Sequence, residues 1–282
     1  MSDGAPRAIR RLPDGTVKQI GPLTGTRVWT VPGRTNRPLG LPRDDAHRLG
    51  PGEDRRLCAF CVDRYTETTP EKARLVGPRF EEVRRVPAQA LNDTVAEFRR
   101  FGNLFEIVSA EYWRENHGFR QPAQIVQWAE EYLSDPVGRV HLEKLAEIRA
   151  TAAGTETSLE EAALDLLGGS HDVVVARRHV VDGAATDADL ASSGTLSPTE
   201  HAAYVAFTVQ ALAEIQAAQP HAAYVRVFQN WLRPAGASFE HLHKQLVAID
   251  DNGPQVDHEL RLLSHERDLD QHEVADLAVA GG

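Results

Sequence analysis

His241, His243 and Gln245 occupy every second position of one short segment, "EHLHKQLVAI". Side chains of an extended strand alternate between faces with a period of two, so all three share one face. Leu242, Lys244 and Leu246 take the other. Just upstream, "RPAGAS" supplies Gly236, where a backbone turn can approach an anion closely, and Ser238, which offers a hydroxyl. A neutral imidazole is a nucleophile near pH 7, and attack on phosphorus suits it. The resulting phosphoramidate needs amide and hydroxyl donors around its oxygens, which Gln245 and Ser238 could provide. Taken alone, two histidines in this spacing also read as satisfied surface residues. The glutamine and the small-residue loop tip the reading toward chemistry.

A second pair, Cys58 and Cys61 in "CAFC", accounts for both cysteines of the 282-residue chain. Two cysteines cannot make a disulfide framework for a chain of this length. They read as half a metal site, a redox pair or incidental. A thioredoxin-like pair would open a helix after a strand. Here the flanks are "DRRL" and "VDRYTETTP", which favours a metal loop.

The elements that must carry these residues can be sketched from periodicity and punctuation. Strands are expected over Thr26–Val31, Phe80–Val86, Leu104–Ser109, Asp172–Val181, Ala223–Phe228 and His243–Ile249, with "VAEFRRF" a further candidate. Helices are expected at Gln124–Leu133, at "HLEKLAEIRA" and at "SLEEAALDLLGG", where Ser158 and Glu161 make a capping box. The clearest helix follows Ser197, with Pro198 at its first position and Glu200 closing the box. Its apolar stripe reads as Val205, Val209, Leu212 and Ile215.

With 41% hydrophobic and 26% charged residues the composition is that of a globular protein. The formal net charge of −10 argues against general nucleic-acid binding, although local arginine clusters could still serve a phosphate pocket. No apolar run is long enough to span a bilayer and the N-terminus lacks a signal-peptide core, so a cytoplasmic protein without a membrane partner is expected.

The segment "FQNWLRPAGASFEHLHKQ" resembles the signature of galactose-1-phosphate uridylyltransferases and their relatives in the histidine-triad (HIT) superfamily. Asn230 stands eleven positions before His241, and Gly236 and Ser238 fall in place. "VWTVPGRTNRP" is similar to the family's N-terminal strand followed by R-x-x-R-P, here Arg34, Arg37 and Pro38. "CAFC…TTP" resembles its zinc loop, "LNDTVAEF" its nucleoside-contacting Asn-Asp pair (Asn92, Asp93), and "GNLFEIVSAEYWRENH" the strand leading to a zinc-ligand histidine, His117.

The resemblance implies an α+β fold: a HIT-like antiparallel sheet with packed helices and a helical insertion. Residues 1–119 would form its first part with the zinc loop, 120–200 a mainly helical insertion, 201–250 the motif helix and strands, and 251–282 a tail. It implies a nucleotidyltransferase that moves a nucleoside monophosphate from a nucleotide sugar, or similar pyrophosphate, to a sugar 1-phosphate or phosphate. His243 would be the nucleophile. Structural Zn2+ would be held by Cys58, Cys61, His117 and His241, with His171 or His179 able to replace His117. Gln245 and Ser238 would hold phosphate oxygens, Arg34 and Arg37 the anionic substrate, Asn92 and Asp93 the nucleoside, and Asn230 and Gly236 the active-site loop.

The chain departs from the family in two places. The 113 positions from His117 to Asn230 exceed the family's usual separation, and only 37 residues follow Gln245 where a second half carries the sugar site. Completion of the pocket by a homodimer is one way the chain would compensate. A dinucleoside polyphosphate hydrolase or phosphorylase, and a zinc-stabilised nucleotide-binding protein without turnover, are the rival readings.

Overall fold

The computed structural model describes residues 9–21, 24–32, 46–154, 157–230, 232 and 235–265. The protein is α+β, with antiparallel sheets throughout. Two compact units divide it, 1–42 with 251–282, and 43–250. The first contains a meander, β1 (Ile9–Arg11), β2 (Val17–Ile20) and β3 (Arg27–Thr30), each strand antiparallel to the next. Asp14 sets the first turn by accepting the backbone N–H of Thr16 at 3.0 Å, and Gly15 takes a left-handed φ of 83° there.

The larger unit is built on six strands. In chain order they are β4 (Glu71–Val76), β5 (Glu81–Arg84), β6 (Ala96–Gly102), β7 (His171–Ala176), β8 (Tyr224–Phe228) and β9 (His243–Ile249). Their order across the sheet is β5-β4-β6-β7-β9-β8. All six residues of β7 are buried. It is an inner strand whose consecutive valines, Val173, Val174 and Val175, suit burial on both faces. In register, Val175 faces His243 and Val173 faces Gln245.

Among the described residues, five α-helices belong to this unit: α1 (Ala110–His117), α2 (Ala123–Ser134), α3 (Pro136–Ala153), α4 (Leu159–Gly168) and α5 (Pro198–Ala218). Residues 120–200 thus hold α2 to α4 and then β7, in the middle of the sheet. A last helix, α6 (Gly253–His265), lies in the first unit.

Helix α5 opens with the expected box: Ser197 Oγ accepts the Glu200 amide while Glu200 reaches back to the Ser197 amide. It covers one sheet face with Tyr204, Phe207, Ala211 and Ile215, packed on Val174, Ala176, Leu242, Leu246 and Ala248. Of the expected stripe, Ile215 is in the core and Leu212 packs against it, while the first half is corrected by one residue. Val205 and Val209 are exposed (40% and 58%), while Tyr204 is buried and its hydroxyl donates to the Val174 carbonyl at 3.2 Å. Two aromatic rings bury more apolar area than two valines, which sets the rotation. Helices α2, α3 and α4 share their own core of Trp128, Tyr132, Leu142, Leu145, Leu166 and Leu167.

The strands depart from expectation in several places. β1, β2 and β4 are strands the sequence pattern did not suggest. Leu104–Ser109 is irregular, because its amides bind side chains instead of a ladder: Phe105 N donates to Asn103 Oδ1 at 2.9 Å and Ile107 N to His171 Nδ1 at 3.1 Å. The segment before His117 is helix α1, capped by Ser109, which accepts the Tyr112 amide, and ended by Gly118 at φ 65°.

Candidate functional site: a buried histidine beside a thiol–imidazole cluster

The face of the sheet opposite α5 carries His171, Val173 and Val175 of β7, Phe101 of β6, and His243 and Gln245 of β9. The CAFC loop lies on it. Cys61 N donates to the Cys58 carbonyl at 3.0 Å, a turn that brings the two sulfurs to 3.8 Å. Phe60, between them in sequence, packs on Phe101, Val173 and Val175 and meets the ring of His243 edge-on at 5.4 Å. Apolar packing thus seats the thiol turn against the strand that carries the histidines.

His241 and His179 complete a cluster with the thiols. His241 Nδ1 lies 3.5 Å from Cys58 Sγ and 3.8 Å from Cys61 Sγ, and His179 Nδ1 lies 3.4 Å from Cys61 Sγ. The four ligand atoms fall within 4.8 Å of one another. His241 Nε2–H donates to the Ala176 carbonyl at 2.7 Å, which leaves Nδ1 as the lone-pair atom facing the sulfurs. Cys61 is held well below the usual thiol range, first by the hydrogen bond from Cys58 and then by His179 and His241. Cys58 is raised by its bond to Cys61 and by burial. A tetrahedral zinc with sulfur bonds of about 2.3 Å has S–S edges of about 3.8 Å. The donor set and its spacing therefore fit zinc without an open position.

His117 is not in this cluster. Its Nε2 is 2.8 Å from Asp250 Oδ2, which also accepts the Tyr112 hydroxyl at 2.7 Å, and its ring stacks on His221 at 5.2 Å. Helix α1 ends at His117 and holds it there, so the second imidazole beside His241 is His179, from the loop after β7.

His243 is buried, with 5% of its surface exposed. Its Nδ1–H donates to the His241 carbonyl at 2.7 Å. The lone pair is thereby left on Nε2, which has no hydrogen-bond partner among the described residues. Burial also pushes the ring toward its neutral form.

A cavity of about 440 Å³ opens here, lined by His243, Gln245, Ser238, Thr68, Thr69, Asn103 and His171 together with Phe60, Phe101, Phe105, Ile107 and Phe239. A cavity with apolar walls and a few converging polar groups is the usual form of a small-molecule site. Gln245 is held in one orientation. Its Oε1 accepts from His171 Nε2 at 3.0 Å and from Asn103 Nδ2 at 3.3 Å. Because Ile107 N–H occupies His171 Nδ1, and burial keeps this ring neutral, the His171 proton sits on Nε2. Both donors take the amide oxygen, so the Gln245 NH2 remains a donor.

The wall behind the cavity is pinned from outside. His141 of α3 accepts the Tyr132 hydroxyl at Nδ1 (2.8 Å) and donates through Nε2 to the Thr68 carbonyl (2.9 Å). Thr68 Oγ1 accepts Arg99 Nη2–H at 2.7 Å, and Thr69 Oγ1 donates to the Gly102 carbonyl.

Other expected site residues fall elsewhere. Asn92 lines a separate cavity of about 250 Å³ with Arg55, Asp63 and Tyr65, and the Asp93 amide closes a turn onto the Ala90 carbonyl. Neither lines the histidine cavity. Gly236 has φ 85°, and a Cβ there would stand 4.0 Å from Asn230 Nδ2, so the two meet in the loop before Ser238. Arg34, Arg37 and Pro38 lie outside the described residues. His171 and Asn103 had no place in the expected catalytic site. The detectable signal was His171's period-two alignment with Val173 and Val175.

The chain matches, over residues 12–281, the model of a family described as a domain of unknown function (DUF4921), and it belongs to that family. No curated protein matches it. Among solved structures, an ADP-glucose phosphorylase from Arabidopsis thaliana with bound ADP-glucose is similar at 17% identity and a TM-score of 0.42. That likeness covers 89% of this chain and 55% of the other, so the chain spans about half the length of that structure. Among the described residues, no helix is long and apolar enough to cross a membrane.

Proposed function

We propose that this chain is a nucleotidyltransferase that moves a nucleoside monophosphate from a nucleotide sugar, or similar pyrophosphate, to a sugar 1-phosphate or to phosphate. The single observation that supports this reading best is the 2.7 Å bond from His243 Nδ1–H to the His241 carbonyl, which leaves Nε2 as an unpartnered lone pair at a cavity wall. His243 Nε2 attacks the phosphorus of the nucleoside monophosphate unit. An N–P bond forms, the P–O bond to the departing phosphate breaks, and that oxygen leaves with the electron pair. The carbonyl of His241 steadies the positive charge that develops on the ring. Gln245 NH2 and the Ser238 hydroxyl donate to the phosphoryl oxygens. A phosphate oxygen of the acceptor then attacks the same phosphorus and His243 is released.

Zinc would be held by Cys58, Cys61, His179 and His241. Once bound it would act as a structural clamp, fixing the His241 backbone whose carbonyl orients His243.

The test is label transfer from UDP-glucose and ADP-glucose carrying a radioactive phosphate next to the nucleoside. Wild type should acquire label and His243→Ala should not. Equal labelling of the two, or none of the wild type despite saturable binding, rejects the covalent mechanism and leaves a nucleotide-binding protein. Release of free nucleotide at the same rate with and without added phosphate acceptor would make water the acceptor.

A further inference from the structure

On the α5 side of the sheet lies a second cavity of about 170 Å³. It is bounded by β4 to β6, α2, the end of α4 and α5. One side is cationic, with Lys72, Arg84, Arg85 and Arg100, and the other is apolar, with Trp128 and Ile125 among its walls.

Three of the four cations are matched by carboxylates. Lys72 Nζ and Arg100 Nε each lie 2.6 Å from the buried Asp172, and Arg100 and Arg84 share Glu214. Arg84 also meets Glu82 at 2.9 Å. Arg85 has no carboxylate partner among the described residues. Its guanidinium carbon stands 5.6 Å from the centre of the Trp128 ring. Its backbone is in the left-handed region, at φ 50°, while its N–H donates to the Lys72 carbonyl at 3.0 Å. A non-glycine residue in that conformation is disfavoured, and such outliers cluster at ligand sites. Here the strained residue, itself exposed, lines the cavity with a charge that no carboxylate among the described residues matches.

We infer that this cavity binds a small carboxylate with a flat apolar body, its carboxylate on Arg85 and its ring against Trp128. The volume is close to the roughly 150 Å³ that accepts a benzene ring in an apolar protein cavity. A carboxylate takes a guanidinium in a two-bond fork, and the matched acids around Lys72, Arg84 and Arg100 leave Arg85 as the cation with free donors. A phosphate would find one free cation and an apolar wall, which is a poor match for its second charge.

The experiment titrates the full chain with benzoate, with benzamide (its uncharged equivalent in shape) and with inorganic phosphate, following tryptophan fluorescence and heat of binding. Benzoate should bind saturably, and benzamide and phosphate at least about tenfold more weakly, the size of one charge-assisted hydrogen bond. Arg85→Gln should weaken benzoate by about tenfold with an unchanged unfolding temperature, and Arg85→Lys should restore part of the loss. Equal binding of benzoate and benzamide, unaltered benzoate binding in Arg85→Gln, tighter binding of phosphate than benzoate, or no saturable benzoate binding would each overturn the inference.

Discussion

His171 Nε2 stands 3.0 Å from Gln245 Oε1, across neighbouring strands β7 and β9. The bond sets the glutamine amide with its oxygen inward and its NH2 as the remaining donor. Under the proposed function this makes His171 a positioning residue. His171→Phe should lower the single-turnover labelling rate of His243 by roughly ten- to a hundredfold, less than the hundred- to thousandfold cost of removing such a donor outright, because the Gln245 amide stays in place. Zinc content should stay at the wild-type level, which separates this loss from damage to the metal cluster. Metal analysis and labelling on the same preparation check it.

The metal cluster predicts which substitutions release zinc. Wild type should carry one zinc per chain. Cys61→Ser and His179→Ala should lose most of it and unfold at lower temperature, since a structural site contributes its binding energy to folding. His117→Ala should keep its zinc, because that imidazole is bonded to Asp250 instead. Elemental analysis after dialysis against a weak chelator distinguishes the three.

Glu106 gives a pH dependence. Its carboxyl accepts the backbone amides of Ala110 at 3.1 Å and His171 at 3.4 Å, yet burial pushes it up to about 7. With the folded value above the unfolded one of about 4.5, the native state binds the extra proton between them. The stabilisation is therefore fully present below about pH 4.5 and lost as pH rises through about 7. Urea midpoints measured from pH 5 to 8 should fall across this window, and Glu106→Gln should flatten that part of the curve.

Glu71 is fully buried between two guanidinium groups, those of Arg74 (Nε to Oε2, 2.6 Å) and Arg99. Removing one partner of a buried ion pair leaves an uncompensated charge. Glu71→Ala should cost about 3–5 kcal/mol in urea denaturation. Arg99 also holds Thr68 at the cavity wall, so ligand affinity should weaken in the same variant when measured well below its midpoint.

What could be read from the sequence follows from what kind of signal each feature leaves. The strand His243–Ile249 and the helix after Ser197 announce themselves through local patterns, an alternation of two and a capping box. The two cysteines read as half a metal site from their own spacing and flanks, and His241 joined them only through the family resemblance. The choice between His117 and His179 could not be made that way, because it depends on β7 passing between β6 and β9, a long-range pairing with no local trace. Strand β4 was hidden by charge: Glu71, Lys72 and Arg74 look like a solvated stretch until their partners, Arg99 and Asp172, arrive from strands 28 and 100 positions away. The first half of the α5 stripe was misjudged by one residue because both faces of that helix are apolar enough to qualify. The larger apolar area of Tyr204 and Phe207, with the Val174 carbonyl accepting the Tyr204 hydroxyl, decides the rotation.

The contact from His141 to the Thr68 carbonyl reaches from the second turn of α3 to the wall of the histidine cavity. A ligand seated against Thr68 should therefore steady α3 through this bond. Slow amide exchange in α3 upon nucleotide loading would be the visible sign, a protection reporting on a pocket the helix itself does not line.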